Sequence, residues 1–198
     1  MKKTLILYDE IAHQSNKNMV FFNEIIKKNY LAKNNITNNN QEDDILESYG
    51  LSEDLIYEDA KFLNNVVFEK YIIEISKTLN NFHNVNKSKR YWSIILGDWL
   101  KDCIYTIYNR YKTLKKGLED QDINKIVLIE GDNNNFPIIE SRTLNRFSGN
   151  LFFDACLISI IFKNLENTQK IEKIIFKEKK MELTPNESIF RLEENKKT

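Results

Sequence analysis

Two arginine–aromatic clusters carry most of the possible chemistry in this 198-residue chain. In Lys89-Arg90-Tyr91-Trp92 an arginine stands among aromatic neighbours where a helix is expected to begin. There a guanidinium can hold a phosphate or carboxylate as a two-pronged fork, assisted by the free backbone N–H groups of the first turn. The same placement suits an arginine whose stem lies along core aromatics while its head stays in water. Further along the same pattern, Arg110 in Asn109-Arg110-Tyr111 falls beside an apolar stripe, where a charge needs a partner. Asp98 and Asp102 are too far back on the helix to be that partner, which leaves a carboxylate from elsewhere in the chain or an anionic ligand. His83 is of the side-chain type that accepts and gives protons near neutrality; it equally suits a helix end or a polar turn. Asp9 and Glu10 follow the apolar run Thr4–Tyr8. Ligands gather at the carboxyl ends of strands in open α/β sheets, so these two acids either face a ligand or close the strand in an acidic loop.

Other chemistries lack their residues. The sequence has no glycine-rich phosphate loop, nucleophile elbow, Ser-x-x-Lys or paired-carboxylate motif. No Cys/His spacing resembles a metal site, so neither a metal nor a cofactor is expected. Cys103 and Cys156 each sit in an apolar segment and read as buried free thiols. Lysine plus arginine and aspartate plus glutamate balance at 29 each, which gives no field to attract nucleic acid. The start, MKKTLILYDE, has too short an apolar run for a signal peptide. The longest apolar run, Leu151–Phe162, contains Asp154 and falls below the ~20 residues of a membrane span. A cytoplasmic location is expected.

Periodicity supplies the elements that position these residues. Strands are predicted at Thr4–Tyr8, Lys125–Glu130 and Ile171–Phe176, from short β-branched or apolar runs. Met19–Tyr30 and Asn150–Leu165 are apolar at helical spacing. Ser52 is placed to open a long helix whose apolar residues Ile56, Ala60, Leu63, Val67, Tyr71, Ile75, Leu79 and Phe82 make one continuous stripe. Ser88 is a suitable N-cap for a second helix, along which Trp92, Ile95, Trp99, Cys103, Ile107, Tyr111 and Leu114 recur every three or four residues. Gly97-Asp98 predicts a kink there or a new helix start at Trp99, and Gly117 is placed to end the helix. The chain therefore reads as one α/β domain over 1–176 with a parallel sheet, a helical pair over about 52–118, an Asn-rich loop at 33–44 and a polar tail at 177–198.

Phe68-Glu69-Lys70-Tyr71, Leu79-Asn80, His83, Ser88-Lys89-Arg90-Tyr91-Trp92-Ser93-Ile94-Ile95-Leu96-Gly97-Asp98-Trp99-Leu100 and Tyr108-Asn109-Arg110-Tyr111 occur in that order. This run resembles the N-terminal part of a transferase family of bacterial O-antigen and surface-polysaccharide loci. Its members carry a segment like H…S-x-R-Y-W-R-I-x-x-G-P-W-L…Y-D-R-Y. Ser93, Asp98 and Asn109 depart from it, standing where the family has Arg, Pro and Asp. The resemblance covers Phe68–Leu118 well and little outside. It implies a Rossmann-like sheet, the N-terminal half of a two-domain glycosyltransferase of the GT-B type. Family members are about three times as long, with a nucleotide-sugar-binding C-terminal half. A chain of this length is thus expected to be a truncated or split acceptor-side domain, turning over little without a donor-binding half. The implied partners are a nucleotide-sugar donor, held by that other half, and a glycan or lipid-linked acceptor. The implied substrate-binding positions are His83, Arg90, Tyr91, Trp92, Trp99 and Arg110, beside Asp9 and Glu10 from the strand reading. The two tryptophans suit core positions as well. A non-catalytic assembly module, or a degenerate fragment, is the alternative.

Overall fold

The computed structural model describes residues 3–14, 18–36, 45–46, 53–120, 122–130, 151–166 and 168–177. Its centre is a four-stranded, all-parallel sheet in the order β2-β1-β3-β4, formed by β1 (Lys3–Ile6), β2 (Met19–Phe21), β3 (Ile123–Glu130) and β4 (Glu172–Lys177). With its long helices this is the expected Rossmann-like α/β class. The inner strands are apolar without alternation. Leu5, Ile6 and Leu7 in and after β1 and Ile126–Ile129 in β3 are all buried. That is the pattern of strands covered on both faces.

β2 was not expected. Met19–Phe21 read as the start of a helix, but it pairs with β1 from Thr4↔Met19 to Ile6↔Phe21. Three residues are too few to display a strand period. The helix proper, α1 (Glu24–Lys33), begins after Asn23, whose side chain accepts the Ile26 N–H at 3.0 Å. The link from β1 to β2 is short for a parallel crossover and, among the described residues, holds a 3-10 turn, Asp9–Gln14. Beyond β2, Ile45 bridges Phe21 at the sheet edge.

The return from β2 to β3 carries a helical hairpin. α2 (Glu53–Phe62) passes through a π-helical segment (Leu63–Phe68) into α3 (Glu69–His83), and α4 (Lys89–Asp120) runs back to β3. The π turn absorbs one extra residue and so rotates the buried face. The buried series is Leu63, Phe68, Ile72, Ser76, with a step of five at the π turn. The continuous stripe read from the sequence is therefore broken: Tyr71 is 50% and Phe82 81% exposed. Trp92, Leu100 and Ile104 of α4 close this second core, with Trp99 partly buried against it.

Gly97 and Gly117 do not interrupt α4, which is one helix of 32 residues. Gly97 faces Phe68, and Gly117 faces Leu46 so closely that a Cβ would stand 2.7 Å from both of its methyl carbons. Tertiary packing thus uses both glycines as contact points. Cys103 and Cys156 are free thiols, Cys156 buried and Cys103 half-buried. Burial, aided by the neighbouring Asp102 charge, pushes the Cys103 thiol up to about 11, so it is a poor nucleophile near neutrality. α5 (Leu151–Lys163) lies against β3 and α4 and leads to β4. The Ser52 cap, most of the Asn-rich loop and the tail beyond 177 lie outside the described residues.

Candidate functional site at the carboxyl edge of the sheet

Strand order decides where a ligand cleft can form. The chain leaves β1 toward β2 on one side and returns to β3 on the other, so the carboxyl ends of β1 and β3 are the topological switch point. β1 ends at Ile6, opposite Val127, while β3 continues to Glu130. The buried N–H of Ile129, past the end of β1, is taken instead by Ser159 Oγ of α5 at 2.9 Å. Beyond Ile6 and Val127 the two strands are no longer paired.

Asp9 follows three residues after the end of β1 and is only 5% exposed. Its Oδ2 lies 2.6 Å from Lys33 Nζ at the end of α1. The ammonium is thus paired closely with Oδ2, an atom shielded from solvent. Glu10, exposed, accepts the same ammonium at 3.2 Å. The Asp9 carboxylate first, and Glu10 after it, hold Lys33 above its ordinary value against a smaller opposing effect of burial. A buried carboxylate beyond the end of a central strand, with an ammonium beside it, is a candidate proton acceptor for a hydroxyl.

α5 packs on β3, and α4 packs on α5. Tyr8 meets Phe152 edge-on, with ring centroids 5.6 Å apart. Two residues on from Tyr8's partner, Asp154 accepts Arg110 through both prongs, Nε to Oδ1 at 3.1 Å and Nη2 to Oδ2 at 3.0 Å. Of the two routes open to Arg110, a carboxylate partner or a ligand, the fold supplies the carboxylate. The fork also fixes the height of α4 on the sheet. From Arg110 back to Lys89, α4 runs another ~30 Å at 1.5 Å per residue, away from its junction with β3 and past the carboxyl edge.

The remaining predicted positions are carried out along that projection. His83 is exposed and stacks on Trp92 with centroids 6.2 Å apart, and Tyr91 meets Trp92 edge-on at 5.1 Å. Arg90 is exposed on the first turn of α4, which Ser88 caps by accepting the Tyr91 N–H at 3.2 Å. Trp92 is buried and Trp99 half-buried, and the Trp99 Nε1 is a buried donor with no acceptor among the described residues. Of the eight positions, Asp9 and Glu10 lie beyond the end of β1, Trp99 and Arg110 lie along α4, and His83, Arg90, Tyr91 and Trp92 gather at the hairpin tip.

Sequence reasoning missed the residues that hold these groups. Lys33 and Asp154 are remote in sequence from their partners. Asn80 staples the tip: its Oδ1 accepts the Lys87 N–H and Trp92 Nε1, both at 3.0 Å, and its Nδ2 donates to Lys87 O at 2.8 Å. Among the described residues no cluster of His, Cys, Asp and Glu has the makings of a metal site. No helix of the described residues is long and apolar enough to cross a membrane. A cavity of about 480 Å³ does exist, lined by Tyr111, Lys115, Leu118, Leu165 and Ile171 among others. It lies where α4 and α5 end and β4 begins, at the amino edge of the sheet, away from the Asp9 carboxylate. The switch point is the better candidate, because it presents strand ends and a buried acid paired with an ammonium.

No protein of curated function and no solved structure matches the chain. A family model does match, over residues 5–197, nearly the whole chain, and on that basis the protein belongs to the LIC12162 family of transferases.

Proposed function

We propose that the chain is the acceptor-side part of a glycosyltransferase, moving a sugar from a nucleotide donor to a glycan or lipid-linked acceptor in bacterial surface-polysaccharide assembly. The observation that carries this is the buried Asp9 carboxylate at the β1/β3 switch point, in a chain belonging to a transferase family. In this reading Asp9 accepts the proton of the acceptor hydroxyl as the hydroxyl attacks the sugar carbon, and Lys33 holds the carboxylate in place. Glu10 hydrogen-bonds a neighbouring hydroxyl. Arg110 and Trp99 lie along α4 on the way to the hairpin tip. His83, at the end of α3, and Arg90, Tyr91 and Trp92, at the start of α4, are about 30 Å from Arg110, too far to touch the same sugar, and serve the distal part of a long or lipid-anchored acceptor.

The sequence offers no glycine-rich loop to cradle a donor's phosphates. The nucleotide sugar is therefore assigned to a donor-binding half outside these 198 residues. The test measures nucleoside diphosphate release from a panel of nucleotide sugars, with lipid-linked and oligosaccharide acceptors, for this chain alone and with a donor-binding chain. The expected result is acceptor-dependent release only in the second case, lowered on the order of a hundredfold or more by Asp9→Asn. Robust turnover by the chain alone would sink the divided-site reading. Full activity of Asp9→Asn would remove Asp9 from the chemistry.

A further inference from the structure

Exposed apolar side chains occur along the whole hairpin, and several of them lie near its tip. Phe82, in the last turn of α3, is 81% exposed, and Ile94, in the second turn of α4, is 76% exposed. Val85, Tyr91 and Ile95 are exposed around them, all within two turns of the connection between the helices. Single exposed apolar side chains need no explanation, but a crown of five at the end of a projection does. Charge is polarised in the same place. Residues 75–97 contain Lys77, Lys87, Lys89 and Arg90 and no acid, in a chain whose charges otherwise cancel. Glu74 and Glu69 of α3 partner Lys77 and Lys89, both away from the turn. Lys87 lies 5.3 Å over the ring of Tyr91, and Arg90 makes no ion pair among the described residues.

We infer that the hairpin tip is a membrane-docking element that inserts Phe82 and Ile94 into the interface of an anionic bilayer. Three properties fit that partner. Apolar side chains ringed by cations match the acyl boundary and the acidic headgroups above it. Tyr91, exposed at the tip, is of the aromatic type enriched at that depth. The tip is also rigid, since Asn80 ties both helices and the turn together, so little ordering entropy opposes insertion. A second copy is the poorer match, because two such tips would bring like charges together. The inference rests on this surface and not on the chemistry at Asp9, so it holds whichever group is transferred.

The test is sedimentation of the full chain with synthetic vesicles that contain no sugar-carrying lipid. One set is phosphatidylcholine alone, the other phosphatidylcholine with about a third phosphatidylglycerol. Binding is expected to the anionic vesicles, to fall steeply with added salt, and to be weak on the neutral ones. Lys87→Gln with Arg90→Gln should weaken it by roughly an order of magnitude or more, as should Phe82→Ser with Ile94→Ser. All four side chains are exposed, and circular dichroism and thermal melting confirm that each variant remains folded. No binding at low salt, or binding that both double variants leave intact, would overturn the inference. So would a dimer in solution that Phe82→Ser with Ile94→Ser dissolves, since the crown would then be a protein interface.

Discussion

The same substitution at two glycines of α4 should have opposite signs. At Gly97 the nearest atom to an added Cβ is Phe68 Cζ at 3.8 Å, an ordinary contact. Gly97→Ala therefore gains the alanine helix preference, about 1 kcal/mol, and buries one methyl worth roughly 0.8 kcal/mol. At Gly117 the Cβ would meet both Leu46 Cδ atoms at 2.7 Å and Cγ at 3.1 Å. Leu46 cannot easily retreat, because it is buried and its N–H is held by Phe21 O at 2.9 Å on the sheet edge. Overpacking of this kind costs about 1–3 kcal/mol and outweighs the same ~1 kcal/mol helix gain. Thermal unfolding followed by circular dichroism should show a rise for Gly97→Ala of about 2–4 °C per kcal/mol gained, and a fall of a few degrees for Gly117→Ala. In a Leu46→Ala background, Gly117→Ala should turn stabilising, because the clash has gone. If Gly117→Ala raises the midpoint of the unmodified protein as much as Gly97→Ala does, the packing of Leu46 on α4 is wrong.

Two further outcomes follow from the charged contacts. Arg110→Met leaves Asp154, with a side chain only 10% exposed, without its fork, and should cost about 2–4 kcal/mol in urea unfolding. Arg110→Met with Asp154→Leu should recover most of that loss; a double variant as unstable as the sum of the singles would mean the two do not interact. Lys33 is held above its ordinary 10.5, so its contact with Asp9 contributes stability fully present below pH 10.5 and lost as pH rises through the higher folded value. Stability measured from pH 9 upward should fall less steeply for Lys33→Gln than for the unmodified chain; parallel curves would show that the contact contributes nothing.

The class of fold was legible in the residues, and the features that failed were those decided at a distance. Buried parallel strands are continuous apolar runs, so β1, β3 and β4 could be seen, whereas the three residues of β2 display no period of their own. The hairpin helices could be seen from their 3.6-residue spacing. Their buried faces could not, because the π segment inserts one residue and turns Tyr71 and Phe82 outward. Local rules take a glycine as a stop or a kink, and α4 runs through both of its glycines because Phe68 and Leu46 pack there. Asp9, Glu10 and the arginines could be picked out by residue type and neighbours. Their partners could not, since no sequence spacing links Asp9 to Lys33 or Arg110 to Asp154. The sequence by itself determined an α/β chain with a long helical pair and an acid after its first strand. Only the tertiary structure decided that this acid is buried at a switch point while the aromatic–arginine cluster stands far from it, because strand order and the length of α4 are properties of packing.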